Sequence, residues 1–246
     1  MSLPLSLDLA LQLAQRYCAE RYPEAGALLA GSVVRGLATP TSDLDIVLIF
    51  DRLDNAWRET TAINGIVTEL FAHDAGTLAW FFDLDAREGS AALATMVAEG
   101  IPVGGPNALI DDAKSLAAAA LAHGPPSLDL HAIEDRRYRV TDLADDLRGG
   151  GTPSEIMAIA ARLHEELAQL MLRADGRWAG KGKALARQLE AMDADLALRF
   201  EHAFGALFRH GHAAQLLGLV EELLAPLGGP AAAGYRREAP ADWRKG

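Results

Sequence analysis

The chain has 246 residues, half of them hydrophobic and 23% charged, which supports packed domains and excludes a disordered polymer. Its formal charge of −11 is the wrong sign for a protein that binds nucleic acid by displacing counterions from phosphates, so a nucleic-acid partner is not expected. The single cysteine, Cys18, excludes an internal disulfide or a thiolate metal cluster and reads as a small buried hydrophobe. With no leader-like start and no run of about eighteen apolar residues, a cytoplasmic protein with no membrane partner is expected.

Leu7, Leu11, Ala14 and Cys18 recur at helical spacing, so residues 7–21 form an amphipathic helix that stops before Pro23. Residues 25–30 are a short apolar run that ends in Gly31-Ser32, a buried strand meeting a tight turn. A second strand spans residues 43–50, with Asp43, Asp45, Val47 and Ile49 on one face. A polar connection containing Trp57 leads to a third strand, residues 64–73, with Val67, Glu69, Phe71 and His73 on one face. Helical patterns follow at 76–87 and 91–99, then a short extended piece at 101–103 and a break at 104–106. Trp80, Phe81 and Phe82 are expected as packing residues rather than a stacking platform for bases.

Beyond the break nearly everything from residue 107 to 227 reads as helix, punctuated at 124–126, 149–151, 180–182 and 211. Thr152, Pro153 and Glu155 make a helix start with a cap, a proline at the first helical position and an acid three residues after the cap. The expected organisation is therefore α+β: a small mixed sheet flanked by helices over residues 1–106, then an all-α bundle over 107–246. The tail after about residue 228 is irregular, with Pro230 and Pro240, and Tyr235 and Trp243 are candidates to pin it down.

The chemistry concentrates in Gly31-Ser32-Val33-Val34-Arg35-Gly36 and, after a gap of ten residues from Ser32, Asp43-Leu44-Asp45 opening a strand. Carboxylates two apart on a strand share a face and can hold hard cations, and Mg²⁺ takes one or two carboxylates with phosphate and water oxygens. The Gly31-Ser32 turn offers backbone N–H groups and a hydroxyl to a terminal phosphate, and Arg35 and Ser42 are further candidate contacts. Glu69, with matching parity on the next strand, supplies a third acid for a second metal.

These residues resemble the polymerase-beta-like nucleotidyltransferases, whose signature is Gly-Ser, a gap of about ten residues, acid-x-acid on a strand and a later third acid. The resemblance covers roughly residues 20–106, and the continuation into helices is similar to bacterial aminoglycoside (kanamycin-type) nucleotidyltransferases. It implies that Ser32 contacts the triphosphate of ATP or another NTP, that Asp43, Asp45 and Glu69 bind two Mg²⁺ ions, and that a helical bundle closes over the nucleotide.

In the helical part, Trp178-Ala179-Gly180-Lys181-Gly182-Lys183 is not a P-loop, since no Ser or Thr follows Lys183 and no strand precedes it, yet Lys181 or Lys183 is a candidate phosphate contact. The resemblance also implies a general base in the bundle; Asp142 is favoured over Glu134, Asp145 and Asp146. His210 and His212 lack the further ligands of a zinc site, and His164 and His202 read as packing or surface residues.

The leading expectation is transfer of a nucleoside monophosphate to a hydroxylated small molecule. Its alternatives are a toxin–antitoxin type enzyme that modifies protein or RNA, and a non-catalytic nucleotide-binding module. No Arg is followed by His after four to six intervening residues, which counts against the ribonuclease half of such systems. A homodimer is compatible with every alternative.

Overall fold

The computed structural model describes residues 5–231 and 233–239; Pro240 and Trp243 lie outside them. The architecture is α+β, a five-stranded mixed sheet with flanking helices followed by a helical region. The chain divides into two compact units between Gly124 and Pro125.

In the first unit, α1 (Leu7–Arg21) starts at Ser6, whose hydroxyl accepts from the Leu9 N–H, and buries Ala10, Ala14 and Cys18. β1 (Gly26–Ala30) is buried throughout and runs into the single helical turn α2 (Gly31–Val34). β2 (Leu44–Ile49), β3 (Trp57–Ile63) and β4 (Ile66–His73) follow, then α3 (Ala75–Arg87), α4 (Ala92–Glu99), the short β5 (Ile101–Val103) and α5 (Ala108–His123). The sheet order is β3-β4-β2-β1-β5, with β2 parallel to β4 and the other neighbours antiparallel.

The polar connection containing Trp57 is corrected here: residues 57–63 form the edge strand β3. Its middle residues, Arg58 to Thr60, face solvent, so it lacks the apolar run of a central strand. Asn64 and Gly65 are not strand but the two-residue hairpin turn between β3 and β4, both with positive φ (51° and 80°), the pattern of a type I′ turn.

Strand alternation splits the core into two layers. Leu29, Leu44, Ile46, Leu48 and Leu70 pack with Ala14 and Cys18 of α1 on one face. Leu28, Val47 and Ile49 pack with Leu78, Phe82, Val97, Ile110 and Ala117 of α3, α4 and α5 on the other. Because Ile110, Ala113 and Ala117 bury in that second layer, α5 packs with the sheet, and the compact unit runs past the break at 104–106.

The second unit contains α6 (Leu130–Gly149), α7 (Pro153–Ala174), α8 (Lys183–Met192), α9 (Ala194–His210) and α10 (Ala214–Leu224), followed by the 3₁₀ turn Ala225–Leu227. Each packs on the next, and α10 returns to α6. Thr152 and Glu155 form the reciprocal cap of α7, with Pro153 in its first turn. The buried Glu166 carboxylate meets Arg139 at 3.3 Å and also pairs with Arg162. The tail lies along α6: Arg137 donates to the Gly228 and Gly229 carbonyls, the Tyr235 ring stacks on Tyr138 at 4.0 Å, and its hydroxyl donates to Asp135 at 2.7 Å. Among the described residues no helix is long and apolar enough to cross a membrane.

Leu163 is fully buried among the helices, so Leu163→Ala removes packed methyl groups and leaves a cavity. The expected cost is about 2–5 kcal/mol, read as an earlier urea transition of the helical signal.

Candidate active site

Ala30 faces Asp45 across the antiparallel β1–β2 pair, and Asp45 faces Glu69 across the parallel β2–β4 pair. Side chains opposite one another in register leave the same face of a sheet, so Asp45 and Glu69 emerge together, and Asp43, just ahead of β2, keeps their parity. One oxygen from each of Asp43, Asp45 and Glu69 lies within 4.8 Å of the others.

The chain then turns over this row. Gly31 adopts φ +73°, and a Cβ placed on it would stand 1.8 Å from Asp45 Oδ2. Glycine is required twice, for the left-handed backbone and for the space the Asp45 carboxylate occupies. Ser32 follows within α2, and its carbonyl accepts from the Leu37 N–H at 2.9 Å.

The Ser42 hydroxyl accepts from the Thr39 N–H at 2.8 Å, and its own N–H donates to the Thr39 carbonyl at 3.0 Å. It therefore fixes the turn that delivers Asp43. Arg35 donates to Glu99 at 2.9 Å, an ion pair within the first unit, while its charge also reaches Asp45.

Burial, then the neighbouring charges of Asp43 and Glu69, push the Asp45 carboxyl up to about 6, against the opposing pull of Arg58 and Arg35. Arg58 on β3 pairs with Glu69 at 2.5 Å and lies over the Phe71 ring at 5.0 Å. Sequence reasoning missed Arg58 because it passed over β3; the Asn64-Gly65 turn signal, which places residue 58 beside β4, would have found it. The donor set is three carboxylates, all oxygen, crowded enough to hold one of them partly protonated near neutrality. Such a set fits a hard divalent cation, whose charge offsets the crowding.

The other candidates lie in the second unit. Asp142 and Asp146 are exposed on α6, Asp145 pairs with Arg148, and Glu134 is 3.8 Å from His131. Lys181 and Lys183 are exposed on either side of Gly182, and Lys183 opens α8. The ring centroids of His210 and His212 are 5.8 Å apart, but among the described residues the acidic triad is the one group of three or more potential ligands. His164 packs edge-on against Phe200 and Phe204, and burial lowers its pKa.

Residues 12–76 match the family model of the nucleotidyltransferase domain, a stretch that carries β1, the Gly31-Ser32 turn and all three carboxylates. A solved structure of a nucleotidyltransferase-like protein from Exiguobacterium sibiricum 255-15 is similar at 16% identity, with a TM-score of 0.45 over 88% of this chain and 73% of that one. No curated protein matches the chain. The matched domain supports nucleotidyl transfer as the general activity.

Proposed function

We propose that the protein transfers a nucleoside monophosphate, AMP from Mg²⁺-ATP, to a hydroxyl of a small-molecule acceptor and releases pyrophosphate. The observation that carries this reading is the convergence of Asp43, Asp45 and Glu69 to within 4.8 Å beside a glycine turn with no room for a side chain. In this reading the three carboxylates hold two Mg²⁺ ions, which when bound neutralise phosphate charge and make the acceptor hydroxyl more acidic.

Gly31 and Ser32 present N–H and hydroxyl groups to the outer phosphates, and the Arg35 charge adds to the field there. Ser42 acts by fixing the approach of Asp43 to the strand. The acceptor oxygen attacks the α-phosphorus while the bond to the bridging oxygen of pyrophosphate breaks, and a carboxylate base accepts the hydroxyl proton. The resemblance to aminoglycoside-modifying enzymes puts aminosugars in the acceptor screen.

The test is transfer from α-labelled ATP to aminoglycosides, lincosamides, proteins and RNA, with pyrophosphate release followed in parallel. Label on a small molecule with one pyrophosphate per transfer is the expected result. Label on protein or RNA would move the assignment to the toxin–antitoxin type, and nucleotide binding with no transfer to any acceptor would make the chain a binding module.

A further inference from the structure

Beside the triad lies a cavity of about 370 Å³ that the proposed chemistry has not used, within the size range of small-molecule sites. It opens between the β3–β4 edge of the sheet and helices α3 and α4. Its walls include Arg58, Phe71, His73, Phe81, Asp85 and Met96.

The sheet order places it relative to the reaction. Reading across β1, β2 and β4 gives the Gly31 turn, then Asp45, then Glu69, and the cavity begins two residues further along β4, at Phe71 and its β3 partner Arg58, which pairs with Glu69. Displacement at phosphorus is in line, so the attacking oxygen enters opposite the departing pyrophosphate. If the outer phosphates sit at the Gly31-Ser32 turn, the acceptor approaches from the Glu69 side, where the cavity lies.

Its chemistry limits the acceptor. Phe71, Phe81 and Met96 are apolar or aromatic. The Arg58 charge is met by Glu69 at 2.5 Å and its guanidinium carbon lies over the Phe71 ring at 5.0 Å. Asp85 accepts from the Leu93 N–H at 3.3 Å. His73 is buried, its Nδ1 3.3 Å from the Thr77 hydroxyl, and its ring meets Phe81 edge-on at 5.2 Å. These walls offer flat apolar surface and one charge of each sign, Arg58 and Asp85, so they carry no net negative charge, which is a poor match to a polycationic aminosugar and a good one to a neutral ring. Phe71 is two residues beyond Glu69 on the same face, roughly 7 Å along the strand. A ring seated beside Phe71 and the Arg58 guanidinium that covers it therefore reaches the triad with a hydroxyl several bonds away.

Resting on the transferase reading, we propose that this cavity is the acceptor subsite and that it selects a neutral acceptor with an aromatic or flat apolar ring carrying its hydroxyl at that distance.

The test uses the full chain and phenyl β-D-glucoside as probe, with kanamycin as the polycationic comparison, by isothermal titration in the presence of Mg²⁺ and a non-hydrolysable ATP analogue. The glucoside should bind and kanamycin should not. Ala92 is an exposed residue at the cavity wall, so Ala92→Trp fills the space from a position that tolerates bulk. It should weaken glucoside binding by roughly tenfold or more, the scale on which a pocket rejects a misfit group, and leave nucleotide binding unchanged. Met96→Gln provides an independent check and should weaken the same isotherm. No glucoside binding, undiminished binding in both folded variants, preferred kanamycin binding, or competition between glucoside and the ATP analogue would each overturn the assignment. Failure of the wild type to bind the analogue with Mg²⁺ is a separate readout; it overturns the transferase reading, and the acceptor role with it, whatever the glucoside does.

Discussion

Asp45→Asn is expected to lower turnover by roughly 10²–10³-fold or more while making the metal-free protein more stable at pH 7.5. The first half follows from its position between Asp43 and Glu69, where loss of one negative oxygen breaks the donor set while preserving shape. The second half follows from its raised pKa. The folded state holds the Asp45 carboxyl near 6 rather than 3.8, so folding favours the protonated form. That penalty is absent below about pH 4, grows as pH rises through 6, and is full above it.

At about 1.36 kcal/mol per pKa unit, reduced for a partly solvated group, the penalty is about 1–2 kcal/mol. His73 acts in the opposite direction over the same window: burial lowers its pKa to about 4, so stability falls as pH drops from 6.5 toward 4. The comparison must therefore be wild type against Asp45→Asn in EDTA at pH 4 and pH 7.5. The two should unfold together at the lower pH, and the variant should melt higher at the upper one. Added Mg²⁺ should raise the melting temperature of the wild type only. Equal melting at both pH values would show that the Asp45 carboxylate is not under electrostatic stress.

Gly31→Ala should damage the site from the other side. Forcing a non-glycine residue to φ +73° costs about 1–2 kcal/mol, and the new methyl group falls on the Asp45 carboxylate, which must move. Metal affinity, measured by Mn²⁺ titration, should fall by roughly 10- to 100-fold. Gly36→Ala is the matching control, since Gly36 also has positive φ (+67°) but nothing within 4 Å of its added Cβ. It should cost similar backbone strain and leave Mn²⁺ affinity unchanged. Equal loss of affinity in both variants would attribute the effect to backbone strain alone.

Much of the first unit was legible because its central strands are apolar and its turn residues are specific. Parity put Asp43 and Asp45 on one face of their strand and allowed Glu69 to join them if the strands paired, and the parallel register of β2 and β4 brings Asp45 opposite Glu69. The cap of α7 was equally plain, because Thr152 and Glu155 satisfy each other locally. β3 was not legible by apolar pattern, because an edge strand with a solvent-facing middle needs no hydrophobic run, and Arg58 was lost with it.

The extent of the first unit was obscured for a different reason. Gly104-Gly105-Pro106 is a local break, whereas the attachment of α5 depends on where Ile110, Ala113 and Ala117 bury, and periodicity does not name the partner surface. The Arg35–Glu99 pair joins residues far apart in sequence, and no spacing rule announces it.

The central claim is that the carboxylate triad and the Gly31 turn form a metal-dependent nucleotide site. It is tested most directly by isothermal titration of ATP and other nucleoside triphosphates, with and without Mg²⁺, into the wild type and the Asp43→Asn, Asp45→Asn double variant. The account predicts Mg²⁺-dependent binding of a triphosphate to the wild type and its loss in a folded double variant. Binding that persists in the double variant, or a folded wild type that binds no triphosphate, would contradict it.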